Sequence, residues 1–178
     1  LLDKGVLFFV LDVPADTLLK ISDMAKGKDV LLFNASATDD RLRGPDCRDN
    51  VMHIAPSRGM YADALAQFLV RKRWRDWFLV VGQREGDRLF AEAVRKSAKK
   101  FGAEIVAEKE WDFGPDARRT AQAEVPAFTQ GVDYDVLIVA DEIGEFIAEV
   151  RDEVFDELIS RYIPPGSIDE QWDPDGLE

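Results

Sequence analysis

A nine-residue stretch, Trp74 to Gly82, constrains the fold of this chain more than any other. Its centre, Phe78 to Val81, is a wholly apolar run of β-forming residues, and a glycine follows it directly. Such a run is too short for a helix and is typical of a strand buried on both faces, as parallel strands are. Helical patterns precede and follow it. The stretch therefore predicts an α/β fold with an open, mostly parallel, doubly wound sheet, in which ligands bind beyond the carboxyl ends of the strands.

The alternation of strands and helices continues on both sides of this stretch. Ser57 is a predicted N-cap for the second helix, and Gly102 is the residue at which the third helix is predicted to end. The pattern predicts further strands at 5–12, 30–34, 51–54, 104–108 and 134–141, and helices at 14–26, 57–73 and 83–101. No strand pattern occurs after residue 142, so we predict a domain boundary there.

The negative charge of the chain is concentrated behind that boundary. The formal net charge at pH 7 is −12, and residues 142–178 hold 12 acidic and two basic residues, which accounts for −10. Apolar residues in this tail recur at helical spacing, at Phe146, Val150, Val154 and Leu158. The tail is therefore predicted to be an acidic helical appendage, and its charge argues against nucleic acid as a partner.

Polar side chains follow the predicted strands at the edge where ligands of this architecture bind. Asn34, Ser36 and Thr38 follow the second strand, and Ser57 and Arg58 begin the next helix. The predicted ligand-binding residues are Asn34, Ser36, Thr38, Ser57, Arg58, Gln83, Asp141 and Glu142. Turn and helix-cap roles for Asn34, Ser36, Thr38 and Ser57, and a solvated edge for the last three, remain open alternatives.

The sequence offers no constellation for catalysis or for a resident metal. His53 and Cys47 are the single histidine and the single cysteine, so a zinc site built from these residue types is excluded. No compelling Ser-His-Asp order occurs, and the phosphate-binding motif G-x-x-x-x-G-K-[ST] is absent. We therefore expect a non-enzymatic protein without cofactor or metal, in which His53 is a partly buried structural residue.

Spaced segments in a fixed order carry a resemblance to a known family; they are residues 31–35, 55–58, 62–68, 72–75 and 77–82. With them, residues 1–142 resemble the type I periplasmic substrate-binding proteins of ABC transporters, in the branched-chain amino acid group. Within it they are most similar to the subfamily encoded beside PQQ-dependent alcohol dehydrogenases. The resemblance implies a periplasmic protein that clamps a small polar ligand, amino acid-like or alcohol-derived, between two lobes and presents it to a membrane permease.

The same resemblance implies a domain organisation. Residues 1–55 correspond to part of the first lobe, and residues 56–142 to the crossover helix and part of the second lobe. The family's first strands and its return half have no counterpart in this sequence, so we expect an incomplete version of the fold. Pairing of two copies into a homodimer is one expected way to cover the exposed core.

The tail resembles a different protein. Residues 146–178, through the segments 150–155, 161–167 and 170–173, are similar to a helical segment of SecA, the protein-translocation ATPase. Without the phosphate-binding motif this resemblance implies no ATPase activity. The two resemblances together suggest a chimeric chain fused near residue 142. The alternative function is a SecA-derived protein-interaction segment on an inert α/β carrier.

Overall fold

The computed structural model describes residues 5–111 and 131–142, and the chain divides into two compact units. The described part of the first unit consists of residues 5–75 and 89–104, and that of the second unit of residues 76–88, 105–111 and 131–142. The predicted acidic helix in 143–178 lies outside the described residues. The lobe boundaries predicted at residues 55 and 142 stay predictions.

The first unit is built on a three-stranded parallel sheet in the order β1-β2-β3. Phe8 of β1 lies beside Leu31 of β2, and Phe33 of β2 lies beside Met52 of β3. Its elements are β1 (Phe8–Leu11), α1 (Ala15–Ala25), β2 (Leu31–Asn34), a short 3-10 helix (Asp40–Arg43), β3 (Val51–His53) and α2 (Arg58–Arg71).

Helix α1 covers one face of this sheet. Leu18, Ser22 and Ala25 recur every three to four residues and are buried, which is the spacing that keeps side chains on one side of a helix. Ala25 packs in a cluster with the fully buried Leu32 of β2, and Phe9 of β1 packs against that cluster. The core of the first unit therefore lies between α1 and the sheet.

Two further helices complete this unit. Helix α3 spans Glu85–Phe101, and its residues from 89 onward belong to the first unit together with α2. The carboxylate of Asp63 on α2 accepts a hydrogen bond from the Ser97 hydroxyl at 2.6 Å and pairs with the Lys100 ammonium group. The hydrogen bond from Lys100 is the main reason why the pKa of Asp63 is lowered, and the hydrogen bond from Ser97 lowers it further. Gly102, with a φ of +74°, ends α3 as the sequence predicts.

The second unit contains a sheet in the order β5-β4-β6, formed by β4 (Asp76–Val81), β5 (Glu104–Glu110) and β6 (Val136–Ala140). Strand β4 lies in the centre and pairs with β6 in parallel, from Trp77 beside Val136 to Val81 beside Ala140. All five residues from Trp77 to Val81 are buried. The prediction of a parallel α/β architecture around this strand is therefore confirmed.

Aromatic packing holds the core of the second unit. Phe78 and Val80 form a buried cluster with Trp111 and Tyr134, and the rings of Phe78 and Tyr134 meet edge to face with centroids 5.4 Å apart. Within the described residues, no helix is both long enough and apolar enough to cross a membrane.

Candidate functional site

Asn34 organises the turn at the carboxyl end of β2. Its Oδ1 accepts from the backbone N–H of Ala37 at 2.8 Å and of Ser36 at 3.3 Å, while its Nδ2 donates to the Ala37 carbonyl at 2.7 Å and lies 3.0 Å from His53 Nδ1. An amide side chain offers two donors and two acceptor positions, so these four contacts use its whole capacity. The side chain is fully buried. Asn34 therefore shapes the turn that presents the exposed Ser36.

Ser57 and Thr38 fix the start of α2 at the same edge of the sheet. Ser57 is buried, and its hydroxyl accepts from the backbone N–H of Met60 at 3.4 Å, which confirms the predicted N-cap. The Thr38 carbonyl accepts from the backbone N–H of Arg58 at 2.8 Å. This bond joins the segment after β2, which contains Ser36 and Thr38, to the start of α2 at the carboxyl edge of the first sheet.

The carboxylate of Asp40 accepts a hydrogen bond from the next backbone amide at the start of α2, that of Gly59. The backbone N–H of Gly59 lies 3.0 Å and 3.2 Å from the two carboxylate oxygens of Asp40, an arrangement that the helix dipole favours. A Cβ atom at position 59 would lie 2.9 Å from Asp40 Oδ1. Because the amides of residues 58, 59 and 60 all have acceptors in the chain, a ligand at this edge meets side chains rather than free helix amides.

The remaining predicted residues lie at the carboxyl edge of the second sheet. The backbone N–H of Gly82 donates to the Ala140 carbonyl at 3.0 Å, so the segments that follow β4 and β6 run side by side. Gln83 and Glu142 are exposed, and Asp141 is half-buried. These three residues form a polar edge of the second unit.

A buried acid that the sequence did not single out, Asp87, holds this second edge in place. Its Oδ1 accepts from the backbone N–H of Glu142 at 2.9 Å, its Oδ2 accepts from that of Arg84 at 3.1 Å, and only 1 % of the residue is exposed. A Cβ atom on Gly82 would lie 2.3 Å from Asp87 Oδ2. Sequence reasoning missed Asp87 because acids are common in the first turn of a helix, where they usually face solvent.

His53, on β3, is half-buried beside Asn34. Burial disfavours the charged imidazolium and lowers the pKa of His53, the nearby Arg43 guanidinium lowers it further, and a hydrogen bond with the Leu42 main chain acts in the opposite direction. His53 thus has the structural position that the sequence predicts for it.

This lowered pKa gives a direction for the effect of pH on stability. A group whose pKa is depressed by folding stabilises the fold above its unfolded-state pKa, and that contribution is lost as the pH falls toward its folded-state pKa. We therefore expect the free energy of unfolding to fall between about pH 7.5 and pH 5.5, where histidine titrates. Urea unfolding at both pH values measures this decrease in the free energy of unfolding. In His53→Gln the decrease is expected to be smaller. An equal decrease in the wild type and in His53→Gln would show that carboxylates, and not His53, cause it.

Across residues 5–111 and 131–142, no group of three or more histidine, cysteine, aspartate or glutamate side chains is placed to hold a metal ion. Each polar edge, taken by itself, carries hydrogen-bonding and charged side chains of the kind that hold a small polar molecule.

Comparison with known proteins places this arrangement in a family. The model of the periplasmic binding protein family matches residues 1–147. A substrate-binding protein of an ABC transporter from Desulfitobacterium hafniense, solved with Leu, superposes with a TM-score of 0.60 at 16 % identity, over 80 % of this chain and 42 % of that one. A periplasmic ligand-binding protein of a branched-chain amino acid ABC transporter from Burkholderia xenovorans gives 0.59 at 19 % identity, over 83 % and 45 %. These likenesses show the fold, and the chain spans less than half the length of either protein.

The comparison also finds SecA. The protein translocase subunit SecA of Stutzerimonas stutzeri is 31 % identical over an alignment of 147 residues that covers 79 % of this chain and 15 % of SecA. SecA of Pseudomonas putida is 28 % identical over the same length. The sequence by itself places the resemblance to SecA in residues 146–178, whereas this match covers most of the chain. It covers too little of SecA to show membership of that group.

Proposed function

The chain belongs to the periplasmic binding protein family, and from this premise we propose that it is the solute-binding component of an ABC transporter. In this proposal it is a non-enzymatic periplasmic protein that binds a small polar ligand and presents it to a membrane permease. The observation that carries the proposal is the hydrogen bond from the Arg58 amide to the Thr38 carbonyl, which joins the segment after β2 to the start of α2 at the carboxyl edge of the first sheet, where ligands of such sheets bind.

The charges at this edge favour an amino acid-like ligand. Arg58 supplies a cation that can pair with a carboxylate, and the exposed Asp40 supplies an anion that can pair with an ammonium group. Ser36, which is exposed, adds a hydroxyl group in the segment after β2. A zwitterion matches this set, and the similar proteins solved with Leu or named for branched-chain amino acids support the same class. A more specific proposal is an alcohol-derived ligand connected with PQQ-dependent alcohol oxidation. It rests on the resemblance of the sequence to that subfamily.

A thermal melt of the full chain against a ligand panel tests the proposal. The panel contains amino acids, short carboxylic acids and alcohol-derived metabolites, because a ligand that binds only the folded state raises the melting midpoint by mass action. We expect a saturable shift with one class, the amino acids. A cooperative melt that no panel member shifts would contradict the proposed function.

Ser36→Ala is expected to weaken binding of that ligand by about tenfold, the effect of one lost hydrogen bond, and to leave the unliganded midpoint nearly unchanged. The reason is that Ser36 is exposed and engages Asn34 through its backbone N–H, which the substitution retains. Titration calorimetry and melts of both proteins measure the two effects.

Ser57→Ala is the matched control, because it removes a hydroxyl from the buried cap of α2 and is expected to cost about 1 kcal/mol of stability. If Ser36→Ala binds like the wild type, the ligand does not touch Ser36.

The resemblance of residues 146–178 to SecA suggests a second candidate function. In it, a SecA-derived segment of a chimeric chain, fused near residue 142, binds a protein partner, while the α/β part is an inert carrier without ATPase activity. The ligand panel separates the two candidates, because the carrier is expected to melt cooperatively with no ligand-dependent shift.

A further inference from the structure

The backbone around Asn34 fixes the orientation of its buried amide. The Oδ1 atom accepts from two backbone N–H groups, that of Ser36 at 3.3 Å and that of Ala37 at 2.8 Å. The Nδ2 atom lies on the other side and donates to the Ala37 carbonyl at 2.7 Å. Turning the amide over would set its N–H donors against the two backbone donors and its oxygen against a carbonyl. The turn after β2 therefore allows one orientation of this side chain.

This orientation decides where His53 carries its proton. His53 Nδ1 lies 3.0 Å from Nδ2 of Asn34, and because Nδ2 is a donor, Nδ1 is the acceptor. A neutral imidazole has one donor and one acceptor nitrogen, so the neutral ring carries its proton on Nε2, which is buried. The charged imidazolium has a proton on both nitrogens. Its Nδ1–H would point at an N–H group of Asn34, and the hydrogen bond between the two side chains would be lost.

We propose that His53 positions the turn after β2 and releases it in acid. The neutral ring accepts the hydrogen bond from Asn34 and holds the turn, whereas the protonated ring opposes the amide and loosens the turn. Ser36 and Thr38 belong to the segment that this turn shapes. The consequence, weaker ligand binding at acidic pH, rests on the proposed function. His53 acts through Asn34 and is therefore a positioning residue.

The groups around His53 favour its neutral form near pH 7.5. The paired strand β2 and the buried positions of α1 carry no ionisable side chain. The charged side chain that acts on the ring is Arg43, on the 3-10 helix, and the carboxylates of Asp39 and Asp40 beside it accept from Arg41 and from a backbone amide of α2. Burial first, and Arg43 second, lower the pKa of His53 from its ordinary value of about 6.5, so the ring gains its proton below that pH.

Nuclear magnetic resonance of the full chain, labelled with nitrogen-15, tests the coupling without a ligand. The chain has one histidine, so the ring signals report the tautomer and the titration of His53 alone. We expect the neutral ring to carry its proton on Nε2. Protection of the Ala37 backbone N–H from hydrogen exchange is expected to fall at least about tenfold as the ring titrates, because Asn34 Oδ1 is its acceptor. A neutral ring with its proton on Nδ1, or protection that does not follow the titration, overturns the proposal.

Ligand binding tests the consequence for the proposed function. L-leucine is the probe, since a similar protein was solved with Leu. Its dissociation constant, measured by titration calorimetry, is expected to rise at least about fivefold from about pH 7.5 to about pH 5.0. A constant that does not rise would show that the state of the turn does not control binding. If leucine does not bind at either pH, the amino acid class of the proposed function fails, while the ring signals and the amide exchange still decide the role of His53.

Two substitutions separate positioning from a loss of packing. His53→Asn places an acceptor oxygen near the position of Nδ1 and does not titrate, so its dissociation constant is expected to change less than about twofold between the two pH values. His53→Leu has no acceptor and is expected to bind leucine weakly at both, with low protection of the Ala37 amide. Circular dichroism verifies that each variant is folded, and His53→Asn decides the question by itself if His53→Leu does not fold. A full pH dependence in His53→Asn would mean that other groups cause it and would overturn the proposal.

Discussion

Replacing Gly82 with alanine is expected to lower the free energy of unfolding by about 3 kcal/mol, at the upper end of what overpacking usually costs. The added Cβ atom would lie 2.3 Å from Oδ2 and 2.8 Å from Cγ of Asp87. Asp87 cannot withdraw without cost, because it is buried and its carboxylate accepts the backbone N–H groups of Arg84 and Glu142. Either the segment after β4 shifts, or the backbone amides of residues 84 and 142 lose their acceptor.

Urea unfolding of the wild type, Gly82→Ala and a matched variant measures this cost. The matched variant is Gly59→Ala, whose Cβ atom would lie 2.9 Å from a carboxylate oxygen of Asp40. Asp40 is exposed and can turn its side chain into solvent, so Gly59→Ala is expected to cost less than about 1 kcal/mol. Equal costs for the two variants would show that the buried contact around Asp87 is not what requires glycine at position 82.

A double-mutant cycle locates the clash. Asp87→Ala alone is expected to destabilise, since it leaves the amides of residues 84 and 142 without their acceptor. In the double variant the new methyl group meets no carboxylate, so the two losses should sum to more than the measured loss by at least about 1 kcal/mol. Additive losses would mean that Gly82 and Asp87 act independently.

Local patterns were sufficient to predict the strands and one helix cap. The sequence predicts a strand buried on both faces at Phe78 to Val81, because four consecutive apolar residues before a glycine are compatible with few other structures. All four residues are buried. The cap at Ser57 was predictable because its partner, Met60, is only three residues away. In both cases the interaction that decides the structure is encoded within a few residues.

The roles of Asn34 and Asp87 depend on residues far away in the sequence, so the neighbouring residues in the chain do not predict them. Asn34 follows a strand, as a ligand contact would, and its contact with His53 joins residues 19 apart in the chain. Asp87 reaches Glu142, which is 55 residues away. One local sign of Asp87 was present, since Gly82 directly after a buried strand indicates a close approach by another group.

The sheet of the first unit illustrates a different limit of sequence reasoning. The apolar runs in β1 and β2 predict strands buried on both faces, because continuous apolar character is typical of such strands. The run gives no information on which element covers each face. Among the described residues α1 packs on one face, and Phe8 and Val10 on the other face are exposed, so the apolar pattern predicts burial but does not identify the covering element.

Asn34→Ala is expected to lower the free energy of unfolding by about 3 kcal/mol, because each buried polar group left without a partner costs about 1–3 kcal/mol. The substitution removes the acceptor of the Ser36 and Ala37 amides and the donor to the Ala37 carbonyl. Urea unfolding measures the loss. The control is Ser36→Ala, which changes an exposed side chain two residues away and is expected to have little effect on stability.

The same variant separates two roles that the sequence left open for Asn34. If Asn34 shapes the turn, Asn34→Ala weakens ligand binding because Ser36 and Thr38 lose their fixed positions, and the loss of binding accompanies a loss of stability. If Asn34 contacts the ligand, binding falls while stability is kept. The four hydrogen bonds that saturate its buried amide favour the first role. A variant of undiminished stability that no longer binds the ligand would overturn this assignment.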